Sequence, residues 1–317
     1  MEIEKARDLG LCFGVRRAVK MLKKAAIQYG RVETLGPVAH NQRLVQQLAE
    51  VGVTPVDEPD KATSGVLAIS AHGAAPAVLA DVEARSVHVI DTTCPIVRRA
   101  QNTARELAEA GYYVIVFGEA EHSEVKGLLG WAGGRAVAAL DAAQIDISLL
   151  LLGGEGLASG RAGEKKHPGY RVGIISQTTQ TWPAFVEFVG KLMCAVPSVT
   201  AAGDAADGRS GGERGENGDL DELRIVNTLC QTTRRRQEAA LELATRSQLM
   251  IVIGGRNSAN TKRLAELCSP VVETHLVEGA GEVESCWLAG KRHVGVTAGA
   301  STPDEAVAEL VSKLGSL

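Results

Sequence analysis

The stretch Leu249-Met250-Ile251-Val252-Ile253-Gly254-Gly255-Arg256-Asn257-Ser258-Ala259-Asn260 holds the key to the fold. Its apolar residues run without alternation. A strand with one wet face would alternate, so this run suits a parallel strand covered on both faces. It then breaks into Gly, Asn and Ser, which turn the chain and cap helices. The same pattern recurs at Val66-Leu67-Ala68-Ile69-Ser70, Val87-His88-Val89-Ile90-Asp91, Tyr113-Val114-Ile115-Val116-Phe117, Val172-Gly173-Ile174-Ile175-Ser176 and His293-Val294-Gly295-Val296-Thr297. Between the runs, Arg98 to Ala110 and Arg234 to Arg246 carry Ala, Leu, Glu and Arg at helical spacing. Strand–helix alternation predicts βαβ units and an α/β fold of parallel sheets.

Length and composition narrow the function. A chain of 317 residues has room for two or three domains and a sizeable core. Lys plus Arg number 34 against 38 Asp plus Glu, a net charge of −4, which argues against a general nucleic-acid binder. Aromatics at 3% argue against base stacking. No apolar run is long enough to span a membrane. Met1-Glu2-Ile3-Glu4-Lys5 lacks the features of a signal peptide, so a cytoplasmic protein is expected.

Each apolar run gives way to a polar cluster before a helix. Three of these are Ser70-Ala71-His72-Gly73, Asp91-Thr92-Thr93-Cys94-Pro95 and Glu119-Ala120-Glu121-His122-Ser123-Glu124. Three more are Ser176-Gln177-Thr178-Thr179, Gly254 to Asn260, and Thr297-Ala298-Gly299-Ala300-Ser301-Thr302-Pro303. Ligands of open parallel sheets bind beyond the carboxyl ends of the strands. Helix N-termini there offer free N–H groups and a positive dipole end to phosphate. Capping alone explains the Ser, Thr and Asn residues; it does not explain the histidines and cysteines among them.

There are six cysteines and no Cys-x-x-Cys pair, so any metal site must be assembled from distant parts of the chain. Cys12, Cys94 and Cys230 each stand before a helical pattern, where a thiol's pKa is expected to fall toward the metal-binding thiolate. Three ligands leave one coordination position open, as a catalytic site needs. Cys194, Cys268 and Cys286 read as small buried hydrophobes. His40, His72 and His122 are either ordinary loop residues or a clamp for a diphosphate. Glu124, two residues after His122, is either a first-turn capping residue or an acid whose proton a neighbouring anion retains. Arg234-Arg235-Arg236 reads as a solvated helix face. Ala201 to Glu222, rich in Gly and acidic residues, reads as a solvated insertion, as does Gly153 to Gly169.

Taken in order, the motifs resemble one family. They are Cys12-Phe-Gly-Val with Arg17-Ala18, Leu35-Gly36 through His40-Asn41, Ser70 to Gly73, Asp91 to Pro95, and His122-Ser123-Glu124-Val125-Lys126-Gly127. Gln177-Thr178-Thr179, Thr228-Leu229-Cys230-Gln231-Thr232-Thr233, Asn257-Ser258-Ala259-Asn260-Thr261 and Gly295 to Ser301 complete the set. Each is weak alone; all in order, from Cys12 to the end of the chain, they resemble the 4-hydroxy-3-methylbut-2-enyl diphosphate reductases. These iron–sulfur enzymes act last in the methylerythritol phosphate route to isoprenoids.

The resemblance implies three small parallel-sheet α/β domains in a trefoil around a central cavity. The expected limits are 14–96, 97–200, and 223–317 joined by 1–13, with 201–222 as a flexible insertion. It implies that Cys12, Cys94 and Cys230 hold one [4Fe–4S] cluster per chain, whose open iron binds the substrate hydroxyl. It places His40, His72, His122, Ser258, Asn260 and Ser301 around the diphosphate, and Thr178 and Thr233 near the hydroxyl. Glu124 becomes the proton source, and the products are isopentenyl and dimethylallyl diphosphate. A ferredoxin or flavodoxin would bring the electrons, and a monomer is expected.

Two features depart from the family pattern. Ala259 stands where a second serine is common, and the 201–222 insertion is unusual. Two rival functions share the anion site. One is a hydrolase or lyase with a mononuclear metal on the three thiolates. The other is a non-enzymatic binder of a phosphorylated metabolite.

Overall fold

The computed structural model describes residues 1–85, 87–146, 170–195 and 220–317. Within them lie three four-stranded sheets, and every strand pairing is parallel. The first sheet holds β2 (Val32–Leu35), β3 (Val53–Val56), β4 (Val66–Ile69) and β5 (His88–Asp91) in the order β3-β2-β4-β5. The second holds β6 (Tyr113–Phe117), β7 (Ala136–Ala139), β8 (Tyr170–Ser176) and β9 (Leu220–Ile225) in the order β7-β6-β8-β9. The third holds β10 (Leu249–Ile253), β11 (Thr274–Val277), β12 (His293–Ala298) and β1 (Glu2–Lys5) in the order β11-β10-β12-β1.

The three sheets share one topology. In each, the first strand has the second strand on one side and the third on the other, and a fourth strand lies beyond the third. The N-terminal β1 takes the fourth place in the last sheet by pairing Glu2 to Lys5 with His293 to Val296. This threefold repeat is not visible as repeated sequence. The expected trefoil of α/β units around a central cavity is what the structure shows.

The helices among the described residues are α1 (Phe13–Tyr29), α2 (Gln42–Ala49), α3 (Pro76–Ala84), α4 (Pro95–Glu109), α5 (Ser123–Trp131), α6 (Trp182–Ala195), α7 (Gln231–Ala244), α8 (Ala259–Cys268) and α9 (Asp304–Ser316). Helix α4 shows why they form. Pro95 sits at its start, where its missing N–H costs nothing. Val97, Ala100, Ala104 and Leu107 recur at helical spacing and are all buried, against β6, β8 and α5. The chain then turns at Gly111, whose φ of +87° is easy only for glycine. Burying Leu107 contributes about 1.5–3 kcal/mol, and trimming it to Ala would cost about 2–5 kcal/mol.

Each sheet carries an apolar core on both faces, as continuous apolar runs require. β10 is buried along its whole length, whereas β1 is exposed at both ends. Three helices do not make crossovers within a sheet. α1, α4 and α7 leave the fourth strand of one sheet and lead to the first strand of the next.

One expected boundary moves. β9 spans the border drawn at 222, yet it pairs with β8 through contacts such as Leu223 with Val172 and Ile225 with Ile174. Residues 220–225 therefore belong to the second sheet, because its third strand would otherwise stand unpaired on that edge. The rest of the 201–222 stretch, and Gly153 to Gly169, lie outside the described residues. No helix among those described is long and apolar enough to cross a membrane.

Candidate active site

The repeated topology sends three sets of loops to one cavity. Loops after the fourth strands end in Cys94, Cys230 and Cys12, which cap α4, α7 and α1. Loops after the first strands carry His40, His122 and Ser258 ahead of α2, α5 and α8. Loops after the third strands carry His72, Thr178 and Ser301 ahead of α3, α6 and α9. The cavity encloses about 690 Å³ of space, its open mouth included. All these residues line it, together with Glu124, Thr233, Ala259 and Asn260. Every site residue expected from the sequence is brought to this one place.

The three thiols are half-buried and unpaired by disulfides. Cys12 Sγ accepts a 3.5 Å bond from the Val15 amide, a weak N-cap. The expected fall in thiol pKa does not hold for Cys94. Burial pushes its thiol up, opposed by the Ile96 and Val97 amides, and the Cys12 and Cys230 thiols add to the rise. Desolvation and mutual repulsion thus exceed the helix-terminus effect. Three thiolates side by side need a cation between them, and a bound metal reverses this pKa logic. The packing around them is cleared for such a group. A Cβ on Gly14 would lie 2.5 Å from Cys94 Sγ and 4.0 Å from Cys12 Sγ. The donor set and the space fit an iron–sulfur cluster or another thiophilic metal.

The histidines form a second group. The rings of His40 and His72 stack with centroids 4.7 Å apart, and His122 meets them edge-on at 5.2 and 5.5 Å. Their ring nitrogens lie within 4.8 Å of one another, a set able to hold a metal ion or an anion. Burial pushes all three below the ordinary histidine range, His122 to about 4, so the rings are neutral at pH 7. Their mutual repulsion deepens the effect at His72 and His122. His122 Nδ1 accepts from the Glu124 amide at 3.1 Å. The neutral ring therefore carries its proton on Nε2, which makes that nitrogen a donor.

Several buried polar atoms around this wall have no hydrogen-bond partner among the described residues. They include His40 Nε2, Thr179 Oγ1, both side-chain atoms of Asn260, and Ser301 Oγ. Unpaired buried polar groups are costly, and a bound anion would satisfy donors of this kind. Ser258 caps α8 and Asn260 lies in its first turn, so the helix N-terminus adds free amides to the same wall. The α8 loop reaches the histidines because Gly255 has no side chain; a Cβ there would stand 2.4 Å from the His40 carbonyl oxygen.

Glu124 lies in the second unit, in the first turn of the helix that His122 caps. It is 2% exposed, and burial lifts its carboxyl to about 7 against two hydrogen bonds from Thr178. A carboxyl near half-protonation at neutral pH can both hold and deliver a proton.

Some residues were not legible in the sequence. Arg236 is not part of a solvated face: it is 4% exposed, and its Nη1 donates to the Gly10 carbonyl at 2.6 Å. It ties the segment before Cys12 to the helix that follows Cys230. Thr233, Gln237 and Ala240 share its buried face, but Thr and Gln are polar, so the helical period gave little apolar signal there. Gly14 and Thr179 also line the cavity and were not singled out. Of the other cysteines, Cys268 is buried as expected, with its thiol pushed up to about 11. Cys194 and Cys286 are exposed instead.

Fold and site together define a class: three parallel α/β units of one topology, meeting at a cavity that gathers three thiols, three imidazoles and a protonatable carboxyl. The LytB protein family model matches residues 3–315. The chain belongs to that family. A 4-hydroxy-3-methylbut-2-enyl diphosphate reductase of Dehalococcoides mccartyi (strain CBDB1) is 40% identical over 317 residues, covering 100% of this chain and 99% of the relative. The enzyme of the same name from Pelobacter propionicus is 34% identical over 318 residues, with the same coverage. A solved structure of (E)-4-hydroxy-3-methyl-but-2-enyl diphosphate reductase, described as the terminal enzyme of the non-mevalonate pathway, matches all of both chains with a TM-score of 0.64 at 30% identity. The Plasmodium falciparum E-1-hydroxy-2-methyl-but-2-enyl-4-diphosphate reductase structure matches with a TM-score of 0.80 at 20% identity, covering 98% of this chain and 87% of that one. That last likeness speaks to fold alone.

Proposed function

We propose that this protein removes the hydroxyl of 4-hydroxy-3-methylbut-2-enyl diphosphate reductively, yielding isopentenyl and dimethylallyl diphosphate. The observation that supports this best is the shared wall: thiol, imidazole and carboxyl groups from all three units line one cavity. The reaction takes up two electrons and two protons, breaks one C–O bond, forms one C–H bond and releases one water.

Cys12, Cys94 and Cys230 would hold a [4Fe–4S] cluster, which when bound supplies single electrons and a Lewis-acidic iron. The chain's own residues do the rest. Ser258, Asn260 and Ser301 would take the diphosphate together with the α8 amides. The three imidazoles would donate to it, His122 through Nε2. Glu124 would carry the transferable proton on its carboxyl. The Thr178 hydroxyl bonds Glu124 Oε2 at 2.9 Å, so it would set the carboxyl's direction and relay to a substrate hydroxyl beside it. Thr233, buried one turn after Cys230, would bound the same end of the substrate. A ferredoxin or flavodoxin would supply the electrons to a cytoplasmic monomer.

Iron and acid-labile sulfide in anaerobically purified protein test the reading. About four of each per chain, lost in Cys94→Ser, are expected for a cubane cluster on three cysteines. One zinc and no sulfide would instead support a mononuclear hydrolase. Zinc retained in a Cys94→Ser, Cys230→Ser double variant would point to the histidines as its holders.

A further inference from the structure

We propose that the outward face of α1, starting at Cys12, is the docking surface for a small acidic one-electron carrier protein. The proposal rests on the redox reading above and adds the place of contact to it.

The charge pattern of α1 is the first observation. Residues 13–29 contain Arg16, Arg17, Lys20, Lys23 and Lys24 and no acidic residue, in a chain whose net charge is −4. Among the described residues none of these five cations is in an ion pair. Arg16 and Arg17 reach only the carbonyls of Leu11 and Thr93. Elsewhere most helix and loop arginines are paired, as Arg98 is with Asp91 and Arg234 with Glu238. An unneutralised row of this kind raises a local positive potential, which a negatively charged partner would complement.

The second observation is where the row begins. Cys12 caps α1 and is partly exposed at the cavity wall. Phe13, the next residue, is 62% exposed, an unusual position for a large apolar side chain beside a candidate redox centre. The helices that begin at the other two cysteines share one feature of this row. Arg99 and Arg235, each five residues past its cysteine, are exposed and outside any ion pair among the described residues. Helices α4 and α7 thus each carry an exposed, unpaired arginine, and α1 adds an exposed aromatic side chain next to its cysteine, residue types enriched in protein interfaces.

The chemistry favours a carrier protein over other polyanions. Phe13 and Ile27 stand at opposite ends of α1, so the face has no continuous apolar ridge to enter a bilayer. The chain's acidity and 3% aromatic content disfavour nucleic acid. Two electrons per turnover require two encounters with a one-electron donor. Each reduced carrier is oxidised by one electron as the enzyme is reduced by one; protons come separately through Glu124. Fast exchange of carriers calls for a small, electrostatic contact rather than an apolar one.

The test uses the anaerobic holoenzyme and its Lys20→Glu, Lys23→Glu, Lys24→Glu variant, all three sites exposed and away from the cavity wall. Binding of a reduced plant-type ferredoxin is measured by surface plasmon resonance between 20 and 300 mM salt. The association rate is expected to fall roughly tenfold or more in the variant at low salt, with a flatter salt dependence. Turnover driven by a reduced viologen dye should be unchanged. Equal binding and equal salt dependence in both proteins would overturn the docking assignment, as would binding of the wild type to vesicles rich in anionic lipid with no binding to ferredoxin. Failure of viologen-driven turnover in the wild type would remove the proposed reaction instead, and the binding comparison would still decide the surface. A single Lys20→Gln variant provides the same readout if the triple variant fails to fold.

Discussion

Glu124 and Thr178 hold each other through two hydrogen bonds: the Thr178 amide donates to Oε1 at 2.6 Å and its hydroxyl to Oε2 at 2.9 Å. The two come from different strands of one sheet, β6 and β8, and meet only at the carboxyl ends. Both bonds stabilise the carboxylate, yet burial still lifts the group to about 7. A fully buried carboxyl thus keeps a proton within reach of neutral pH.

Glu124→Gln should preserve the fold and reduce turnover about 10²- to 10⁴-fold, the usual contribution of a positioned acid. Its stability should also shift in a pH-dependent way. The native carboxyl binds its proton more tightly than the unfolded one, so wild-type stability falls as pH rises from about 4.5 to about 7. The shift is worth on the order of 3 kcal/mol at most. Glutamine does not ionise, so the variant should melt at or above the wild type at pH 8. A lower melting point at pH 8, with turnover intact, would remove Glu124 from the acid role.

The histidines predict a proton-linked anion. His122 lies near 4 in the fold, below the ordinary 6.5, so the folded protein binds fewer protons than the unfolded chain between those values. His122 alone therefore makes stability rise with pH across that window. A diphosphate beside the rings would raise their pKa and take up protons. Calorimetry of inorganic pyrophosphate at pH 6, in buffers of different ionisation heat, should show uptake that shrinks in His122→Gln. No uptake in the wild type would separate the histidines from the anion site.

Gly14→Ala tests the clearance around the thiols. Its Cβ would fall 2.5 Å from Cys94 Sγ, so α1 or the Cys94 loop must shift. Iron and sulfide content should drop well below wild type, while circular dichroism of the metal-free protein changes little. Full metal content would show that the thiol loops yield easily.

Ala259→Ser restores a hydroxyl at the start of α8, where Asn260 has two unpartnered atoms. One hydrogen bond to a charged group is worth ~1.5–3 kcal/mol, so pyrophosphate should bind roughly tenfold more tightly or better. Unchanged affinity would show that the α8 amides already fill that role.

Much of the site was readable because its chemistry sits in short local patterns. Cys94-Pro95, His122-Ser123-Glu124 and Ser258-Ala259-Asn260 each announce a helix start with a reactive group attached. Central strands such as β10 were readable because burial on both faces demands unbroken apolar runs. Apart from β5, edge strands were not: β1 reads Glu-Ile-Glu-Lys, β3 contains Pro55, and β9 reads Leu-Asp-Glu-Leu-Arg-Ile. An edge strand has one hydrogen-bonded neighbour and a wet side, so its sequence carries little apolar signal. Missing β9 misplaced the border of the second unit.

By itself, the sequence determined the parallel α/β class and the helix starts that carry the candidate cysteines, histidines and carboxyl, while their grouping into one candidate site came from the resemblance of the whole ordered motif set. The class and the helix starts are local properties, set by side-chain chemistry and by periodicity within a few residues. Only the tertiary structure decided the threefold repetition of one sheet topology, the burial of Arg236, the rise rather than fall of the Cys94 thiol, and the unpaired cationic face of α1. Each of these depends on which groups from distant parts of the chain share a desolvated space, and burial and electrostatics act through that distance rather than through sequence order.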